Sequence, residues 1–134
     1  MPESYRYHQQ GFIKGRLILE SVMNIMSVMR NQSDQTRQGW MLFLDQQKAF
    51  DHVSHVYLQE VLTKMNFDPS FIQTIRALFS EQTVFIADSG IILEPFRVNR
   101  GVRQDDLLSP LLYVLAFEPF LRSLDKNLMG IALN

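Results

Sequence analysis

An apolar run that stops at a carboxylate constrains this chain more than any other feature. Trp40-Met41-Leu42-Phe43-Leu44 leads straight into Asp45, and a second carboxylate, Asp51, follows Gln46-Gln47-Lys48-Ala49-Phe50. Short apolar runs bounded by polar residues read as buried strands. An aspartate at the C-terminal end of such a strand sits where open sheets place their ligands. The pattern predicts an interior strand over 40–44 that delivers Asp45 to the rim of a site. A turn then brings back Lys48, Phe50 and Asp51. The plainer alternative is an Asp45 that only caps the next helix.

The flanking segments say what such a strand packs with. Residues 1–10 are polar and aperiodic and form a ragged lead-in. Gly11-Phe12-Ile13-Lys14-Gly15-Arg16 frames basic side chains with glycines, a turn able to hold phosphate or simply to precede a helix. Ile18, Val22, Ile25, Met26 and Met29 then fall on one helical face. The methionines among them read as core filler. Residues 31–39 read as a loop.

After Asp51, a helix is expected over about 54–65, carrying Val56, Leu58, Val61, Leu62 and Met65. Asp68-Pro69 supplies an N-cap and a first helical position for the next one, which runs through Ile75 to Phe79. His52 and His55 read as neighbours of a helix start, because no cysteine or further histidine stands nearby to complete a zinc site. Residues 83–87 and 91–98 flank Asp88-Ser89-Gly90 as a hairpin, with Pro95 marking an edge or a bulge. Ser109 as N-cap and Pro110 at the first position start a last helix, kinked at Pro119. The order is helix, strand, two helices, hairpin, helix. It predicts an α/β (α+β) fold, a small sheet covered by helices, in a single domain over 1–134.

Composition sets limits on function. At 134 residues, with 46% hydrophobic and 20% charged content, the chain supports one globular core. It has no cysteine, which excludes disulfides and thiolate metal sites and suits a reducing compartment. No apolar run approaches the ~20 residues that cross a bilayer. The first residues lack the apolar core of a secretory signal. The net charge of −1 supplies no global basic field, which counts against a polynucleotide partner. Arg97, Arg100 and Arg103 form one dense basic patch, and by count alone it reads as a solvated arginine loop.

Taken together the motifs are more specific than any one of them. Gly11 to Arg16, Phe43-Leu44-Asp45 through Ala49-Phe50-Asp51, Arg100-Gly101-Val102-Arg103-Gln104, and Leu108-Ser109-Pro110-Leu111-Leu112-Tyr113 occur in that order. So arranged, they closely resemble the reverse transcriptase domain of non-LTR (LINE-type) retrotransposons, over about residues 9–131. The resemblance implies a partial right-hand polymerase palm with part of the fingers. It implies an RNA template, a DNA primer and dNTP as partners. Its chemistry is nucleotidyl transfer by two Mg²⁺ ions about 4 Å apart, which activate the primer 3′-hydroxyl and stabilise the leaving pyrophosphate. Matched onto this sequence, Asp45 is the first metal-binding aspartate and Gln46 offers its backbone carbonyl to a metal. Phe50 lies under the sugar, Gln104 contacts the incoming nucleotide or the template, and Arg100 and Arg103 meet phosphates. Lys48 and Asp51 are left to local structure.

Departures from that pattern carry their own expectations. The family usually follows its glutamine with Gly, a small or polar residue and Pro, where this chain has Asp105-Asp106-Leu107. Lys14 and Leu17 stand where Pro and Ser are more common. The family's paired aspartates, which follow shortly after the region of Gly130-Ile131, do not occur. The expectation is therefore that the chain alone is inactive and holds Mg²⁺ weakly or not at all. A non-catalytic module that binds nucleic acid or protein is the alternative, with self-association through an exposed sheet edge. A phosphotransferase with Asp45 as nucleophile is disfavoured, because Gln47 stands where such enzymes carry a second acid.

Overall fold

Helices in this chain begin where side chains meet the backbone amides that a first turn leaves unpaired. The computed structural model describes residues 9–31, 40–80 and 82–128. Two compact units divide the chain, Met1–Gln46 with Glu118–Asn134, and Gln47–Phe117.

The second unit holds most of the regular structure. Ser54 accepts from the Tyr57 amide at 3.3 Å and starts α2, His55–Lys64. Asp68 accepts from the Ser70 amide at 2.8 Å and starts α3, Pro69–Phe79, with Pro69 at the first position. Both helices lie where periodicity and caps predict them. Their inward residues, Leu58, Val61, Leu62, Ile75 and Phe79, are buried, and Val53, Val102 and Leu112 are buried in the same unit. Burying a side chain of this size stabilises by about 1.5–3 kcal/mol, which makes this helical layer the chief source of cohesion.

The expected hairpin forms in two antiparallel pieces. β1, Gln82–Val84, pairs with β4, Phe96–Val98, and β2, Ala87–Asp88, pairs with β3, Ile91–Ile92. Ser89 and Gly90 both have positive φ, 49° and 85°, as a two-residue type I′ turn requires. Between Val84↔Phe96 and Ala87↔Ile92 one side carries Phe85 and Ile86, while the other carries Leu93, Glu94 and Pro95. That extra residue is a bulge, and Pro95 sits in it. Gln82 and Val98 are half-buried and the other strand residues exposed, so the hairpin is not a sheet buried under helices.

The last helix, α4, is Ser109–Asn127 and runs unbroken through Pro119. Its start differs from expectation. The Leu112 amide donates to the Leu108 carbonyl, 3.0 Å, and the Leu108 amide donates to the Asp106 carboxylate, 2.9 Å. Asp106 therefore satisfies the helix entrance, while the Ser109 hydroxyl is fully buried and caps nothing.

In the first unit, α1 is Ile18–Asn31, preceded by turns at Gly11-Phe12 and Lys14-Gly15. Its methionines do not fill a core: Met23, Met26 and Met29 are all exposed. The strand expected over 40–44 does not form either. Met41 to Leu44 carry no sheet pairing and are exposed, as is Trp40. A strand needs a neighbour to take its amides and carbonyls. Among the described residues each strand already pairs within the hairpin. At the end of this unit Arg122 donates to the buried Glu118 carboxylate at 2.8 Å, one helical turn away. Residues 1–8 of the lead-in, most of the loop expected at 31–39, and Gly130-Ile131 lie outside the described residues.

Candidate nucleic-acid interface

The chain after Gln47 turns tightly. Lys48 has φ 49°, and the His52 amide returns to the Lys48 carbonyl at 3.2 Å, which sets Phe50 and Asp51 on a turn ahead of α2. Residues 100–104 lie against this turn as a strap. The Gly101 amide donates to Val53 O at 2.8 Å, the Val102 amide to Phe50 O at 2.9 Å, and Ser54 bridges Arg100 in antiparallel sense. Two amide bonds one residue apart fix the register, so buried Val102 points inward and Arg103 and Gln104 face solvent.

Glycine is needed at the centre of the strap. Gly101 has φ 96°, a region that L side chains avoid, and it packs directly on the Asp51 backbone. Behind the turn the Phe50 ring stacks on Tyr113 of α4, with centroids 5.2 Å apart and planes 19° from parallel. Phe50 is half-buried, with one face braced by Tyr113.

Two concavities result. One, of about 350 Å³, is lined by Phe50, Arg103, Gln104, Asp105, Asp106 and Pro110. The other, of about 580 Å³, is lined by the hairpin residues Gln82, Thr83, Val84 and Val98, by Asp51, and by Arg100 and Arg103 with the rest of the strap. The larger groove carries two guanidinium groups against one carboxylate, and the smaller hollow one against two. An anion is therefore drawn to the groove beside Arg100, while the hollow offers a ring face, an amide and a guanidinium plane.

Of the residues singled out by sequence, Phe50, Arg100, Arg103 and Gln104 come together in this unit. Asp45 and Gln46 belong to the other unit, on an exposed stretch without regular structure. Among the described residues no three of His, Asp or Glu are grouped so as to hold a metal ion. Asp45 and the Gln46 carbonyl offer a few oxygens where hard dications take six or more ligands. The described residues do not fit a complete two-metal site.

Residues 1–133 match the family model described as reverse transcriptase (RNA-dependent DNA polymerase). The chain belongs to the reverse transcriptase family. It is 35% identical over 121 residues to the Transposon TX1 uncharacterized 149 kDa protein of Xenopus laevis, covering 90% of this chain and 9% of that protein. It is 27% identical over 120 residues to the Retrovirus-related Pol polyprotein from type-2 retrotransposable element R2DM of Drosophila melanogaster, covering 90% and 11%. A third relative is the probable RNA-directed DNA polymerase from transposon X-element of the same fly, 28% identical over 108 residues, covering 81% and 12%. The chain thus spans about a tenth of the length of the curated relatives it matches.

Sequence reasoning missed three parts of this turn-and-strap surface. Asp51, assigned to local structure, lines the groove, and so do Thr83 and Val84 of the hairpin. His55, read as a bystander at a helix start, places Nε2 2.7 Å from the Gly101 carbonyl and its ring 5.4 Å from that of Phe79. Periodicity carries no trace of these pairings, because each joins segments more than twenty residues apart. The order of the motifs alone hints that the strap and the turn belong together.

Proposed function

We propose that the Phe50 turn and the strap form the nucleotide- and template-facing part of a retrotransposon RNA-directed DNA polymerase, in its palm and adjoining fingers. One observation carries the reading: Phe50, Arg103 and Gln104 line one hollow, and Arg100 lies beside them in the neighbouring groove. The half-buried Phe50 ring, braced by Tyr113, is a flat steric floor for a sugar, and a 2′-hydroxyl is the group such a floor excludes. Gln104 has both donor and acceptor atoms for a base edge. Arg100 and Arg103 present planar forks that match phosphate oxygens. Asp45, with the Gln46 carbonyl, would hold Mg²⁺ together with carboxylates from elsewhere. Bound there, the metal would supply the charge stabilisation of phosphoryl transfer. Because the described residues do not complete that site, the 134-residue chain by itself is expected to extend no primer.

Titration of a fluorescent DNA primer annealed to an RNA template, followed by anisotropy at several salt concentrations, tests the interface. Wild type should bind more weakly as salt rises. Arg100→Ala and Arg103→Ala should each lower the logarithmic salt slope by about one. Equal affinity and slope in all three proteins would sink the assignment. The hairpin also leaves Phe85, Ile91 and Ile92 exposed beside unpaired strand edges, so self-association through that edge belongs to the same proposal. Sedimentation at rising concentration reads it directly, and a constant monomer mass rules it out.

A further inference from the structure

We propose that His55 is a positioning residue: it holds the strap 100–104 on the Phe50 turn by donating from Nε2 to the Gly101 carbonyl. The importance attached to the strap rests on the function proposed above, but the holding itself does not. The contact is 2.7 Å long and joins residues 46 apart in sequence. A carbonyl oxygen has no proton to give, so Nε2 carries it, and the ring must keep that nitrogen protonated to make the bond. The orientation is not free. His55 opens α2, its ring is half-buried, and it packs against Phe79 near the end of α3. The two helices therefore aim one nitrogen at one carbonyl.

Gly101 is gripped on every side that a backbone offers. Its amide is taken by Val53, its α-carbon rests on Asp51, and its carbonyl is taken by His55. The first two contacts come from the turn, whereas the third comes from the helical core. The histidine adds a side-chain hydrogen bond from α2, packed on α3, to the backbone contacts that the strap makes with the turn. Arg100 and Arg103 stand on either side of this fixed point, and Gln104 follows. Without it, the strap would keep two backbone bonds to a turn that is itself exposed at Asp51 and His52. Side chains that must meet a phosphate and a base within tenths of an ångström depend on that third tether.

Hydrogen exchange of the Gly101 and Val102 amides reads the holding. Leucine at position 55 keeps bulk against Phe79 but has no donor, whereas glutamine restores an N–H at similar reach. In His55→Leu, protection of both amides should fall about tenfold, with the Leu62 and Ile75 amides unchanged. His55→Gln should return it to within about twofold of wild type. Unchanged strap protection in His55→Leu overturns the inference, and so does a glutamine variant as loose as the leucine one. Should His55→Leu also loosen Leu62 and Ile75, the glutamine variant decides alone, restored protection supporting the tether and lost protection overturning it. The same proteins are titrated with the primer–template. If wild type fails to bind it, the proposed function falls while the exchange result still decides the role of His55.

Discussion

Gly101 lies so close to Asp51 that a Cβ built on the glycine would stand 3.1 Å from both the Asp51 Cα and its carbonyl oxygen. Those are backbone atoms and cannot swing aside. Gly101→Ala meets this contact and also a φ of 96° that alanine resists. The expected loss is about 2–3 kcal/mol in denaturant unfolding. A change below about 0.5 kcal/mol, the range of neutral surface substitutions, would show that the strap does not sit on the turn.

Phe50 and Tyr113 test the floor of the hollow. Their rings stack at 5.2 Å, and Tyr113 stacks in turn on Phe117 at 5.6 Å. In a double-mutant cycle with Phe50→Ala and Tyr113→Ala, the double loss should fall short of the sum of the two single losses by about 0.5–1.5 kcal/mol. Strict additivity would mean that the turn is not braced by α4.

Asp105 occupies a backbone state suited to glycine. Its φ is 65°, in the left-handed region that favours glycine. Aspartate tolerates the left-handed region better than most residues, and a β-branched side chain does not. Asp105→Val should therefore cost about 1–2 kcal/mol, while Asp105→Gly should fall within a few tenths of wild type. The glycine variant also removes a carboxylate beside Arg103, so it should bind the primer–template more tightly. Thermal melts and anisotropy check the two halves separately.

The pH response of α3 follows from its cap. The Ser70 hydroxyl, and after it the Ser70 amide, hold the Asp68 carboxyl below its ordinary value of 3.8. The folded form thus favours the carboxylate, and the cap contributes fully above the unfolded value. Its contribution is lost as pH falls through the lowered one. Melting temperatures of wild type and Asp68→Asn should differ near neutral pH and converge in strong acid. A gap that widens on acidification would reverse the sign and remove the cap from the account.

Local chemistry was legible and long-range pairing was not. Asp68-Pro69, the apolar sets of α2 and α3, and the Asp88-Ser89-Gly90 turn each declare themselves within one or two turns of chain. The family resemblance singles out Phe50, Arg103 and Gln104, and the structure lines one hollow with them. The tether from His55 to Gly101 escaped because a histidine at a helix start looks the same whether it meets water or a carbonyl. Residue type points to Ser109 as the cap, yet the Asp106 carboxylate takes the Leu108 amide just ahead of the helix. The apolar run at 40–44 misled for a different reason. Hydrophobicity says that a segment favours burial, but not that a partner strand lies beside it.

Trp40 offers the sharpest check on that last point, because it is the one tryptophan in the chain. It is fully exposed, with Leu42 and Phe43 beside it at 77% and 72%. An indole in water emits at long wavelength and is quenched freely by iodide, whereas one inside a sheet does neither. The dilute protein should show hydrated emission and full quenching, and Leu42→Asp should leave α2 and α3 as stable as before. Blue-shifted, quencher-resistant emission would mean that residues 40–44 are buried in a strand after all. Asp45 would then stand at a strand end, and the sequence-based picture of its placement would replace the exposed one.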